Sequence, residues 1–129
     1  MSASTGRRAA RRQALFLLYQ WDLTGQQLAS LFEGEPDPFA RSLAEAVAVR
    51  AEALDRRVSD VSDDWPAERM GTLERNILRI GVYELEEGTV PHEVAINEAV
   101  LLAKRYASED AARLVNGILG RILREAERV

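Results

Sequence analysis

Cysteine is absent from the 129-residue chain. Disulfides and thiolate metal sites are therefore excluded, and their absence fits a reducing cytoplasm. Histidine occurs once, as His92. No serine or carboxylate is tied to it by motif, so a surface or capping role is the plainer reading than a catalytic base. The chain has no glycine-rich phosphate loop, no HExxH pair and no nucleophile elbow. Asp63, Asp64 and Glu68 are neighbours in sequence, but acids ahead of a helix serve more often as caps and solvated charge than as a cation site. Nothing here asks for an enzyme, a cofactor or a metal. No apolar run is long enough to span a bilayer, so no membrane association is expected. The opening MSASTGRRAARRQ is basic, but Asp22 follows its apolar stretch at once, unlike a signal peptide.

What is present is ordinary for a globular domain: 47% apolar and 29% charged residues. The length points to one domain over 1–129, with residues 1–6 as a flexible tail. The net charge of −4 is unevenly spread. Residues 1–21 carry Arg7, Arg8, Arg11 and Arg12 and no acid. The rest of the chain sets the other 13 of 17 basic side chains against all 21 acids. Cations at a helix start oppose the macrodipole. The basic end is thus either a solvated helix start or a local phosphate-binding surface. Lys104 is the only lysine. Arginine suits bidentate phosphate contacts and stacking, although genome base composition can produce the same bias.

Every long segment has helical period, and the fold class is all-α. A first helix is expected from about Arg7 to Thr24, with Ala10, Ala14, Leu17, Leu18 and Trp21 on one stripe and Gly25 as its stop. A short helix over Gln26 to Phe32 precedes a loop marked by Gly34, Pro36 and Pro38. Asp37 and Pro38 cap a helix expected to reach about Val58. Residues 59–71 read as a connector, pinned by Trp65 and Met70. Helices then follow from Thr72 to Glu87, from Glu93 to Tyr106, and from Ser108 as cap to about Glu127. The helix LERNILRIGVYELEE has an apolar arc covering about half its circumference, which predicts a central position. Arg75, Arg79 and Tyr83 fall on its remaining side, and Glu84 inside the arc needs a partner.

On the first helix, Arg8, Arg12, Leu15 and Tyr19 share a face, with Arg11 between that face and the apolar stripe. Guanidinium groups beside an aromatic ring suit single-stranded RNA, whose splayed bases can stack. The alternative is an edge-packed Tyr19 among solvated arginines. On the last helix, Arg113, Arg121 and Arg124 are phosphate candidates, but Glu109 and Arg113 also form an i,i+4 pair needing no ligand. Gly117 and Gly120 read as close helix packing.

The stretches Val94-Ala95-Ile96-Asn97-Glu98-Ala99-Val100 and Val115-Asn116-Gly117-Ile118-Leu119 resemble the C-terminal half of NusB proteins. Glu74-Arg75-Asn76-Ile77-Leu78-Arg79-Ile80 is similar to that family's central helix, and Arg7 through Trp21 to its opening helix. The resemblance implies two three-helix bundles packed crosswise into one domain. It implies a transcription antitermination factor that binds the boxA element of ribosomal RNA leader transcripts. The factor would act with NusE, a small-subunit ribosomal protein, and indirectly with the RNA polymerase elongation complex. Arg7, Arg8 and Arg11 match the family's RNA-contacting start, and the segment from Ser108 through Asp110 and Arg113 to Asn116 its second RNA region. Arg12 and Tyr19 join the first set from the residue reading. Glu74 begins the partner-binding helix, with Arg75 and Arg79 beside it. Some members self-associate, so a homodimer stays open. The sequence departs from the family where Arg12 replaces a common acid, where Leu114 replaces a common aromatic, and where the second helix is short. Two alternatives remain: a helical module that binds protein only, and the NusB-like domain of a truncated ribosomal RNA methyltransferase.

Overall fold

A computed structural model describes residues 3–62 and 70–127, and all of their regular elements are helical. Among the described residues six α-helices follow in order: α1 (Ala3–Thr24), α2 (Pro38–Val49), α3 (Ala51–Val61), α4 (Thr72–Glu87), α5 (His92–Tyr106) and α6 (Glu109–Glu127). The chain divides into two compact units at Arg50.

In the first unit α1 packs on α2. Ala10, Ala14, Leu17 and Leu18 of the expected stripe are buried, as are Ala40, Leu43, Ala44 and Val47 of α2. α1 begins at Ala3, ahead of the start expected at Arg7, so part of the expected tail is helical; residues 1 and 2 lie outside the described residues. The helix stops at Gly25, whose φ of +73° suits a residue without Cβ and whose N–H reaches the Trp21 carbonyl at 3.0 Å. The short second helix is one 3₁₀ turn, Leu28–Leu31, with no buried residue. Leu28 and Leu31 are only half-buried, so little packing extends it before Gly34.

The helix expected to run to Val58 is instead broken at Arg50, which has φ −99° and ψ 8°. The apolar positions Ala40, Leu43, Val47, Ala51, Leu54 and Val58 keep one period through the break, so patterning gives no sign of it. Packing supplies the reason. α2 packs with α1, whereas α3 packs with α4 and α6. Among the described residues the first unit holds two α-helices and a 3₁₀ turn and the second four α-helices, which together make the six-helix, all-α fold expected.

In the second unit α4 touches α3, α5 and α6, the central position its wide arc requires. Burial is continuous from Asn76 to Val82 and includes Arg79, which had been expected on the polar side. Glu84 is buried as well. At Gly81 the neighbouring helices approach closely: a Cβ there would lie 2.6 Å from Leu119 Cδ1 and 3.4 Å from Ala99 Cβ. Gly88, at φ +66°, ends α4. Ser108 Oγ accepts from the Ala111 N–H at 3.0 Å and caps α6 as expected. Met70 is buried, while Trp65 and the acids Asp63, Asp64 and Glu68 lie outside the described residues. Gly117 is exposed with open space around it, so close packing is not its role. No helix among the described residues is long and apolar enough to cross a membrane.

Candidate nucleic-acid interface

The basic end of α1 is built against the start of α2. Asp37 Oδ1 accepts from the N–H groups of Phe39 at 2.8 Å and Ala40 at 3.2 Å, and Pro38 occupies the first turn. This cap fixes Phe39 in that turn. The guanidinium carbons of Arg7 and Arg11 lie 5.1 and 5.6 Å from the centre of the Phe39 ring, both within cation–π range. Arg7, Arg8 and Arg12 are exposed, whereas Arg11 is only 2% exposed. Arg11 is thus withdrawn from solvent, and the exposed positive charge lies with the other three.

The face expected from Arg8, Arg12, Leu15 and Tyr19 is narrower than its helical spacing suggests. Leu15 is fully buried and Tyr19 half-buried. Phe16, four residues after Arg12, is 42% exposed and supplies an accessible ring that the sequence reading passed over. Its i,i+4 spacing from Arg12 was the available signal. Phe39 was also passed over, and there the signal was missing, because pairing between helices leaves no mark in local spacing.

On α6, Asp110, Arg113 and Asn116 are all exposed. Arg113 Nη2 donates to Asp110 Oδ1, an i,i+3 pair that replaces the expected pair with Glu109. Such a solvent-exposed pair is weak and can give way to a phosphate. Arg121 serves the fold instead, because its Nη1 donates to the Val61 carbonyl at 2.8 Å and joins α6 to the end of α3.

The candidate partner face on α4 separates into surface and interior. Glu74 and Arg75 are half-buried. The Glu74 carboxylate folds back over Gly71, the N-cap residue, where a Cβ would overlap its Oε2. A carboxylate in the first turn is favoured by the helix dipole. Arg79, by contrast, is internal. Its Nε and Nη2 donate to Asp55 Oδ1 and Oδ2 at 2.7 and 2.6 Å, and its Nη1 donates to Asn76 Oδ1 at 3.0 Å. Asn76 Nδ2 in turn donates to the Thr72 carbonyl at 2.8 Å. Arg79 therefore ties α3 to α4 and is buried, not on the exposed polar side expected for it. His92 is exposed at the start of α5. No group of three or more His, Cys, Asp or Glu side chains suited to a metal ion occurs among the described residues.

The sequence model of the NusB family matches residues 8–124. The transcription antitermination protein NusB of Rubrobacter xylanophilus is 42% identical over 120 residues, covering 88% of this chain and 86% of that protein. Among solved structures, the antitermination factors NusB and NusE in complex with double-stranded RNA contain a chain similar to this one with a TM-score of 0.80. That match has 30% identity and covers 92% of this chain and 96% of the other. NusB of T. maritima superposes with a TM-score of 0.81 at 31% identity, over 92% of this chain and 91% of its own.

Proposed function

The chain belongs to the NusB family, and on that premise we propose that it is a transcription antitermination protein that binds boxA RNA of ribosomal RNA leaders together with a NusE partner. On this reading the protein is not an enzyme. It holds RNA and a ribosomal protein together in the cytoplasm and passes their effect to the elongating polymerase. The observation that carries the RNA half is the exposed Arg7, Arg8 and Arg12 at the start of α1, in a chain whose net charge is −4. These arginines offer guanidinium forks to phosphates, and Phe16 and Tyr19 offer rings to splayed bases. Asp110, Arg113 and Asn116 form the second RNA surface, with Asp110 orienting Arg113.

Glu74 and Arg75 carry the partner half. A ribosomal-protein partner is basic, and the Glu74 carboxylate sets charge complementarity at that contact. Anisotropy with a boxA RNA, with and without NusE, tests the whole reading. Binding should be tighter with NusE present, and no binding in either arm would refute it. Glu74→Gln separates the two surfaces. It should weaken NusE binding by calorimetry and leave binding of RNA alone nearly unchanged. Loss of RNA binding alone would assign Glu74 to the wrong ligand.

A further inference from the structure

We infer that Phe39 is a positioning residue for RNA binding: its ring orders the Arg7 guanidinium at the exposed end of α1 without neutralising it. The inference rests on the RNA-binding reading proposed above. Several other arginines meet carboxylates. Arg41 pairs with Glu45, Arg79 with Asp55 and Arg113 with Asp110. Each such pair orders the side chain but cancels its charge. Arg7 differs, because its contact among the described residues is the Phe39 ring at 5.1 Å. A ring has no net charge, so the full positive charge stays available to a phosphate. Meanwhile a long, rotamer-rich side chain is restrained before the ligand arrives. Arg11, buried and 5.6 Å from the same ring centre, packs against the ring from behind. The Asp37 cap fixes the backbone of Phe39, so the ring's place is set by the start of α2 and not by α1 alone.

The test replaces Phe39 with a trifluorinated phenylalanine, which keeps the shape but drains the ring's negative face, and separately makes Phe39→Leu and Phe39→Tyr. RNA affinity is read by anisotropy with boxA RNA across a salt series. The fluorinated protein and Phe39→Leu should bind about two- to five-fold more weakly, the range of an exposed cation–π contact. Phe39→Tyr should bind as the parent does. The salt slope should hold in all three, because the number of arginines meeting phosphates is unchanged. In an Arg7→Ala background the fluorinated ring should lose most of its effect, because only the buried Arg11 still meets that ring. Parent-like affinity of the fluorinated protein, while Arg7→Ala weakens binding, would overturn the inference and leave the RNA reading intact. A loss in the Arg7→Ala background as large as in the parent would overturn it too, by showing that the ring acts without Arg7. If the parent itself fails to bind RNA, the proposed function fails first and the inference with it. The fluorinated ring preserves the packing, so these outcomes can be read even if Phe39→Leu does not fold.

Discussion

Arg79 shows how a single side chain can be misplaced by its helical position and then placed correctly by its partners. Its angular position on α4 is opposite the apolar arc, yet it is 6% exposed and bound to Asp55 and Asn76. α4 contacts three helices, so even its polar side is covered. The partner that makes this burial tolerable lies 24 positions away, and no local spacing could reveal it. Removing one member of a buried, hydrogen-bonded ion pair strands the other. Arg79→Ala should therefore cost about 3 kcal/mol in urea unfolding, since Asp55 and the buried Asn76 lose their partner together. Arg79→Lys should recover only part of this, because an ammonium cannot match the two-pronged contact with both Asp55 oxygens. A loss below about 1 kcal/mol in Arg79→Ala, the range of an exposed pair, would return Arg79 to the candidate partner surface. Arg11 belongs with it: its place next to the apolar stripe was legible, but its withdrawal over a ring on another helix was not.

Among the helices, two glycines with the same bland sequence signature have opposite meanings. Gly81 on α4 faces α6 so closely that a Cβ would press on Leu119 and Ala99. Gly81→Ala should cost about 1–3 kcal/mol, because the added methyl must push a packed core apart. Gly117 on α6 is exposed, and a Cβ added there would meet nothing within 4 Å. Gly117→Ala should stabilise the protein by about 0.5–1 kcal/mol, since glycine only costs entropy inside a helix. Thermal melts of the two variants should move in opposite directions, and a shared direction would mean that one of these environments is misassigned. The ends of α4 and α6 and the stop of α1 at Gly25 were legible, because caps and positive-φ glycines are local chemistry. The break at Arg50 was not. The apolar stripe runs through it in phase, and only the change of packing partners from α2 to α3 separates the two segments.

For the molecule as a whole, the charge distribution makes the most demanding statement. With a net charge of −4, the chain as a whole repels RNA, and attraction must come from local positive potential. The exposed arginines at the start of α1 supply it on the proposed reading, and RNA affinity should then fall as salt rises through release of counterions. Each phosphate neutralised on a single strand contributes about 0.7 to the slope of log affinity against log salt. Replacing Arg7, Arg8 and Arg12 together by Ala should therefore make that slope shallower by about 2 if all three meet phosphates. Arg11 is left in place because it is buried, and its loss would confuse folding with binding. Helix content should hardly change, since alanine is a strong helix former and the three positions are exposed. Arg113→Ala provides the contrast. Its charge is already matched by Asp110, so its removal should flatten the slope less than the loss of Arg7, whose contact among the described residues is a ring. A triple variant that stays helical and keeps the parent's slope would show that the basic start of α1 is a solvated helix end, and the RNA surface would have to be sought on α6 alone.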